Sequence, residues 1–362
     1  MTTIAVLLSG GIDSLVAAGI LKNQGRSLFG IHFYTGYESA KNDCSETRLH
    51  PDESAHQSRD AASERAHSLE KELGISIEVL DVCRAFQSKV VEYFIQSYQA
   101  GQTPNPCMIC NSLIKFGVCL SLAREMGASH LATGHYARIR RDQQAKYHLY
   151  RGKDLNKDQS YFLARLNQNM LARVLFPLGS YTKTETKSLA KGMGLTPLAL
   201  LESQDVCFTA DASYGEFLAR QPDFSFTAGP IATVDGDVIG RHQGLHRYTI
   251  GQRRGINIPA AEPYYVIRID AAQNRLVVGP KEAVYQQTCN IKDINWINKP
   301  PRNKIQVDTR IRYRHRAAPS HLTMITKDRA RVRFDTPQSA ITPGQAAVFY
   351  INDEVLGGGW IA

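Results

Sequence analysis

Two stretches of this chain hold residues whose types and spacing could do chemistry. Ser9-Gly10-Gly11-Ile12-Asp13-Ser14 joins an apolar run, Thr3–Leu8, to a helical pattern, Asp13–Asn23. Two glycines let a backbone approach an anion closely, and the amides opening the next helix point at it with the helix dipole behind them. Ser9 and Ser14 add hydroxyl donors, and Asp13 is placed to help hold Mg²⁺ on phosphates. The same residue types also make an ordinary helix cap, but the full hexapeptide between strand and helix favours a nucleotide. The loop lacks the lysine of a Walker loop and the glycine spacing of the dinucleotide fingerprint.

The second stretch is Thr103-Pro-Asn-Pro-Cys107-Met-Ile-Cys110-Asn111. Two prolines fix an extended approach and place both thiols near a helix N-terminus. There the dipole and Lys115 are expected to lower a thiol pKa and favour the thiolate. The spacing suits metal, iron–sulfur or redox chemistry, and the plain alternative is a pair of packed thiols. Cys207 stands apart in Glu202-Ser-Gln-Asp-Val-Cys207-Phe-Thr, a segment that reads as a loop, and nothing local joins it to Cys110. The other four of the seven cysteines, Cys44, Cys83, Cys119 and Cys289, are scattered. Cys119, in an apolar helical pattern, reads as a core thiol.

The elements that must position these groups follow from periodicity. Thr3–Leu8, Leu28–Tyr34, Ile75–Val82 and His130–Thr133 read as strands. Helical patterns lie between them, at Asp13–Asn23, Ala62–Leu73, Val90–Tyr98 and Ile114–Met126. Repeated βα units predict a Rossmann-like, doubly wound parallel sheet, whose ligands bind at the carboxyl ends of the strands. Gly36–Ser54 reads as a polar loop. After residue 208 the pattern turns to β: a hairpin at Thr233–Ile239, strands at Tyr264–Asp270 and Leu276–Gly279, then short strands at Val307–Tyr313, Leu322–Thr326, Ala330–Phe334 and Ala346–Ile351. The expected division is a catalytic domain over 1–208, a small β-rich linking domain over 209–279 and a terminal β-barrel over 280–362. A chain of 362 residues with 43% hydrophobic and 21% charged residues has room for these and is not compositionally disordered. The last 82 residues carry 13 Lys/Arg against 7 Asp/Glu, +6 of the net +9. That balance suits a nucleic-acid partner, a merely basic solvated face being the plain alternative. The apolar stretch Ile4–Leu8 and Leu15–Leu21 is broken by Ser9-Gly10-Gly11 and Asp13, with no basic residue ahead of it. It reads as neither a membrane span nor a signal peptide, so a cytoplasmic protein with no membrane partner is expected.

The hexapeptide resembles the pyrophosphatase-type loop of enzymes that cut ATP between its α and β phosphates. Further segments follow in order: Thr103–Asn111 with Ile114-Lys-Phe116, Thr133-Gly-His-Tyr-Ala137, Lys157-Asp-Gln-Ser-Tyr-Phe-Leu163, Ser203–Phe208, Thr249-Ile-Gly-Gln-Arg253, Arg312-Tyr313, Pro343-Gly-Gln345 and Gly357-Gly-Gly359. Together they resemble the tRNA-specific 2-thiouridylase family (MnmA/TrmU) over essentially the whole chain. The resemblance implies ATP-dependent insertion of sulfur at C2 of the wobble uridine of tRNA. It implies that Leu7, Leu8, Ser9, Gly10, Gly11, Ile12, Asp13 and Ser14, with Phe33 and Gly134, hold ATP with Mg²⁺. Asn105, Pro106 and Cys107 would meet the target base, Cys110 would be the nucleophile and Cys207 the persulfide carrier. His135, Lys157, Asp158, Gln159, Arg312, Tyr313 and Gln345 match positions that contact tRNA. Bland roles for these are a core histidine, a turn ion pair and alternating faces of a barrel strand.

The implied partners are tRNA, a persulfide donor (a cysteine desulfurase or relay protein) and a reductant for a Cys110–Cys207 disulfide. Some family members carry Asp where this chain has Cys107, which removes a candidate acid/base group. With Cys107, Cys110 and Cys207 together, a 4Fe–4S cluster is the alternative sulfur carrier. Two other readings are a different adenylating tRNA-modifying enzyme with this loop, and a non-catalytic RNA-binding or redox protein with a vestigial nucleotide site.

Overall fold

The computed structural model describes residues 2–38, 51–196, 206–209, 213–222, 224–299 and 304–362, with side chains from residue 59 in the helix that begins at Pro51. The chain forms two compact units. One comprises Met1–Val90, Cys107–Asp211 and Asp353–Val355, the other Val91–Pro106, Ala212–Asn352 and Leu356–Ala362.

The first unit is built on a five-stranded sheet with β1 (Thr3–Leu7), β2 (Ser27–Tyr34), β3 (Ile77–Asp81), β4 (His130–Ala132) and β7 (Val174–Leu175) in the order β3-β2-β1-β4-β7, every pair parallel. All of β1 beyond Thr3 is buried, as a strand covered on both faces must be. Ile4, Val6 and Leu8 pack with Leu15 and Ala18 of α1 (Ile12–Asn23) and Leu69 and Leu73 of α2 (Pro51–Leu73). Val16, Ala17 and Ile20 of α1 pack instead on Tyr136, Leu178 and Ala190. After β3 come α3 (Cys83–Phe86) and a π-helical turn, Gln87–Val91.

Helix α5 (Pro106–Glu125) starts eight residues before the expected Ile114, and its middle, Cys110–Cys119, is π-helical. Cys107 and Cys110 therefore lie inside the helix rather than ahead of it. Among the described residues this one helix is long and apolar enough to cross a membrane. Its Met108, Ile109, Ile114, Phe116, Cys119 and Leu120 are buried in the protein, which accounts for the apolar run. The predicted polar loop Gly36–Ser54 is helical from Pro51, and most of the rest of it, with Cys44, lies outside the described residues. An antiparallel hairpin that the βα pattern did not suggest, β5 (Ala137–Arg141) with β6 (Tyr147–Arg151), follows β4 and pairs with Glu354 and Val355.

The second unit holds α4 (Glu92–Gln99), α7 (Tyr214–Ala219) and two β structures. A four-stranded sheet runs β10 (Tyr265–Asp270), β11 (Arg275–Gly279), β8 (Gly229–Thr233), β9 (Val238–His242). The strands β12 (Tyr285–Trp296), β13 (Lys304–Arg310), β14 (Ala318–Met324), β15 (Ala330–Ser339), β16 (Ala346–Ile351) and β17 (Glu354–Ile361) close into a barrel through the β12–β17 pairing. Val307, Leu322, Val332, Phe334, Ala347 and Phe349 fill it. The predicted strand Val307–Tyr313 stops at Arg310, so Arg312 and Tyr313 occupy the turn after β13, not opposite faces of a strand.

Candidate active site

The strand-to-helix loop sits at the carboxyl edge of the parallel sheet. Leu8 donates its N–H to the Ile31 carbonyl (2.9 Å) and its own carbonyl accepts from His32 Nδ1 (2.7 Å). With the Leu7 and Leu8 side chains also buried, these two residues aim the loop rather than offer groups to a ligand. Gly10 has φ of 78°, which only glycine adopts without strain. The Ser14 hydroxyl donates to the Gly11 carbonyl (2.8 Å) and accepts from the Ser9 N–H (3.3 Å), closing the loop on itself. In the first turn of α1 the Ser14 N–H donates to the Gly11 carbonyl (3.1 Å), while the earliest amides have no intrahelical acceptor, as at any helix start. Gly134, after β4, lies against this loop: a Cβ there would stand 2.7 Å from the Asp13 carbonyl carbon and 2.9 Å from the Ser14 nitrogen. Phe33 is half-buried near the end of β2, opposite Leu80.

Asp13 corrects an expectation. Lys183 Nζ lies 2.8 Å from both of its carboxylate oxygens, and the Tyr136 hydroxyl donates to Oδ1 at 2.8 Å. Its carboxylate is committed to an internal ion pair, so it anchors the start of α1 instead of reaching toward a magnesium ion. Lys183 and Tyr136 were not among the expected site residues; Lys183 opens the helix Lys183–Gly192 and carries no local signal of its partner.

The first unit brings the three thiols together. Cys107 is exposed in the first turn of α5, Cys110 begins its π-helical part half-buried, and Cys207 is exposed. The π-helix is held locally by the Ser112 hydroxyl, which donates to the carbonyls of Met108 (3.0 Å) and Ile109 (3.2 Å). Cys207 sits in a tight turn in which Thr209 donates its N–H (3.2 Å) and hydroxyl (2.9 Å) to the Val206 carbonyl. The thiols are near enough that charge on Cys107 or Cys207 would oppose ionisation of Cys110, and charge on Cys107 that of Cys207.

The expected thiol activation is reversed. Burial pushes Cys110 up to about 12 despite Lys115, which pulls it down. Removing the thiolate from water outweighs one nearby ammonium. Beside Cys110, the buried Asn111 leaves its side-chain oxygen without a hydrogen-bond partner. Among the described residues no group of three or more His, Cys, Asp or Glu is arranged to hold a metal ion.

Several expected tRNA contacts have internal work instead. His135 is buried, its Nδ1 lies 2.7 Å from the Thr133 hydroxyl, and its ring packs on Phe116 and Phe176. Burial holds its pKa well below 6.5, so it sits in the core as a neutral histidine. Asp158 is buried and accepts from the N–H groups of Gly152 (3.2 Å) and Ser160 (3.0 Å) and from the Ser160 hydroxyl (3.0 Å), which fixes a turn. Gln159 accepts the Tyr136 N–H at 3.0 Å, and Lys157 is half-exposed.

In the second unit Arg312 donates to the Ser339 carbonyl (2.9 Å), and Tyr313 lies beneath the Arg310 guanidinium, 5.3 Å from its ring centre. Gln345 donates to the carbonyls of Thr103 (3.2 Å) and Pro104 (2.9 Å). It therefore holds the segment leading to the expected target-base residues. Asn105 is buried there, its N–H donating to the Tyr93 hydroxyl at 3.2 Å, and Pro106 is buried at the start of α5.

Residues 2–211 match the model for a tRNA methyl transferase HUP domain, residues 215–280 a tRNA methyl transferase PRC-barrel domain, and residues 286–361 an aminomethyltransferase beta-barrel domain. The tRNA-specific 2-thiouridylase MnmA of Desulfosudis oleivorans is 45% identical over 99% of this chain and 94% of its own. The chain belongs to the tRNA-specific 2-thiouridylase family. The MnmA of Geobacter metallireducens is 41% identical over 99% of this chain and 96% of its own, and that of Syntrophotalea carbinolica 43% over 99% and 98%. Among solved structures, the U34-tRNA thiolase NcsA from Methanococcus maripaludis with its 4Fe-4S cluster covers 57% of this chain and 60% of its own at TM-score 0.33 and 17% identity, a likeness too slight to bear on function. The family thus has the order of architectures seen here: a parallel α/β sheet, a small central β domain and a terminal barrel.

Proposed function

We propose that this chain is a tRNA-uridine 2-sulfurtransferase that uses ATP to replace O2 of the wobble uridine with sulfur, in the cytoplasm. The observation that carries the reading is that Cys107, Cys110 and Cys207 lie in the same unit as a phosphate-type glycine loop, in a chain of this family. A uracil carbonyl has no leaving group. Attack of O2 on the α-phosphorus of ATP releases pyrophosphate and makes O2 part of a leaving AMP. The loop Ser9–Ser14, backed by Gly134, would cradle the phosphates through its amides and hydroxyls, with Mg²⁺ held by the phosphates themselves.

Cys207 would carry the sulfur as a persulfide received from a donor protein. Cys110, as thiolate, attacks the inner sulfur of that persulfide, forming a Cys110–Cys207 disulfide and expelling hydrosulfide. Hydrosulfide adds to C2, AMP departs with the oxygen, and 2-thiouridine remains. An external dithiol then reduces the disulfide, with two electrons and two protons returning to the cysteines. Because burial holds the Cys110 thiol protonated, transfer has to be timed by loss of its proton, and Lys115 is the cation in place to stabilise the Cys110 thiolate. Asn105–Cys107 would receive a base taken out of the anticodon stack. Lys157 and Arg312, both partly exposed cations, fit contact with phosphate. The division into 1–208, 209–279 and 280–362 is part of this proposal.

The test is anaerobic formation of 2-thiouridine on unmodified tRNA by metal-stripped protein with ATP, Mg²⁺ and a persulfide donor. Product is expected, and it should vanish in Cys207→Ser while ATP and tRNA binding persist. Activity that appears only after iron–sulfur reconstitution would overturn the thiol-pair route.

A further inference from the structure

Cys207 has beside it a residue that the proposed chemistry does not use. Phe208 is 3% exposed, although the turn around it runs at the surface and Cys207 next to it is open to solvent. Its ring meets two others edge-on, Phe86 of α3 at 5.6 Å and Tyr37 at 6.0 Å between centroids, and those two are 5.9 Å apart. Three rings in mutual contact form a closed aromatic seat, in the tilted and edge-to-face geometry that such rings favour.

The seat itself is built to stay put. Glu38 accepts hydrogen bonds from the Thr35 N–H (2.7 Å), the Thr35 hydroxyl (2.9 Å) and the Gly36 N–H (3.0 Å), which fixes the turn presenting Tyr37. Gly36 has φ of 83°, and a Cβ there would stand 3.2 Å from Cys83 Sγ, so the turn also needs glycine. The far end of Tyr37 donates to the Gln87 side-chain oxygen. Phe86 is buried in the helix that follows β3, and that helix packs against the π-helical stretch that begins at Cys110. Seat and nucleophile are thus carried by neighbouring elements, and Phe208 is the tether between them and Cys207.

We infer that Phe208 is a positioning residue: docked between Tyr37 and Phe86, it registers the Cys207 sulfur against Cys110 for sulfur transfer. This rests on the thiol-pair reading above. The Val206–Thr209 hydrogen bonds shape the turn, but they are local and would be made wherever the turn went. The aromatic seat ties it to the rest of the unit through side chains from two other elements. Displacing a reacting group by about 1 Å is enough to cost on the order of 10²-fold in rate.

The experiment measures disulfide formation between Cys110 and Cys207 in the full-length protein with the oxidant diamide, without tRNA or ATP. The two thiols give up two electrons and two protons to the diazene, which becomes the hydrazine, and the product is read by peptide mass spectrometry. Phe208→Ala is expected to slow this step by about tenfold or more, with iodoacetamide labelling of Cys207 undiminished. Tyr at position 208 is expected to restore the rate. In turnover the same variant should lower kcat for 2-thiouridine while pyrophosphate release and KM for ATP stay within about twofold, a split that general destabilisation would not give.

An unchanged disulfide rate in Phe208→Ala, or equal loss of pyrophosphate release and thiolation, would overturn the inference. If Phe208→Ala does not fold, Tyr37→Leu opens the seat from the opposite wall and carries the same expectations. A wild-type protein that forms the disulfide but makes no 2-thiouridine would refute the proposed function and leave the positioning intact.

Discussion

Gly134→Ala puts one methyl group between two backbones. The new Cβ would lie 2.7 Å from the Asp13 carbonyl carbon, 2.8 Å from its oxygen and 2.9 Å from the Ser14 nitrogen. None of these is the loose end of a side chain, so nothing can swing aside. Relief to ordinary contact at 3.4 Å needs a displacement of about 0.7 Å, shared between the loop and the strand end. Overpacking on this scale costs about 1–3 kcal/mol, which in a protein of this size lowers Tm by about 1–4 °C. The effect on ATP should be larger than the effect on folding, because the displaced atoms open the phosphate loop. We expect KM for ATP in tRNA-dependent pyrophosphate release to rise by about tenfold. Gly192→Ala is the control: a Cβ there meets nothing within 4 Å, and its Tm and KM should be unchanged. Wild-type KM and Tm in Gly134→Ala would show that the loop and the β4 turn yield freely, and the nucleotide assignment would lose its main geometric support.

Three further outcomes are expected. Lys183→Met leaves the Asp13 carboxylate with the Tyr136 hydroxyl as its partner here; since Asp13 is a third exposed, the loss should be about 1–2 kcal/mol in urea unfolding, and no loss would mean that the pair is ornamental. With the Cys110 thiol pushed up to about 12, the thiolate fraction grows tenfold per pH unit. Alkylation of Cys110 should therefore climb without a plateau from pH 7 to about 10, more slowly still in Lys115→Met, and a plateau near neutrality would refute the burial argument. His148 lies between Glu354 (2.7 Å) and Asp142 (3.0 Å); burial opposes its charge, but these two carboxylates raise its pKa above 6.5. Its stabilisation is thus complete below 6.5 and is lost as pH rises through the raised value. The Tm gap between wild type and His148→Gln should be wide at acidic pH and close on the alkaline side; a gap that widens with pH would reverse the assignment.

The α/β half was legible because its signals are local. Gly-Gly between an apolar run and a helix start, and apolar runs alternating with helical spacing, each lie within a few residues. What escaped the reading depends on distance or on solvent. Lys183 reaches Asp13 across 170 positions, and neither residue announces the other. The sign of the thiol shifts was misread because a dipole and Lys115 are visible in sequence whereas burial is not. Asp158 and His135 match tRNA-contact positions by resemblance, and their burial, which adds structural tasks, is invisible in sequence; the Asp-x-Ser pattern at 158–160 is a local hint of the side-chain turn. Arg312 was put on a strand because apolar and basic residues alternate up to it, though the pairing ends at Arg310.

The carbonyls of Thr103 and Pro104 have a bearing on how the enzyme comes into being. The Thr103 N–H donates to the Pro343 carbonyl and the Thr103 carbonyl accepts from the Gln345 side-chain amide, while a side chain at Gly344 would strike Gln102. These partners are made 242 residues after Thr103. At a synthesis rate of about 5–20 residues per second, the stretch that leads into Cys107 waits about 10–50 s for them. During that interval the glycine loop, the parallel sheet and Cys110 have all left the ribosome. A nascent chain could thus hold nucleotide long before the ground beside its thiols has set, and premature termination would leave that ground unset. The last strands of the barrel are thus what completes the hydrogen bonding of Thr103 and Pro104.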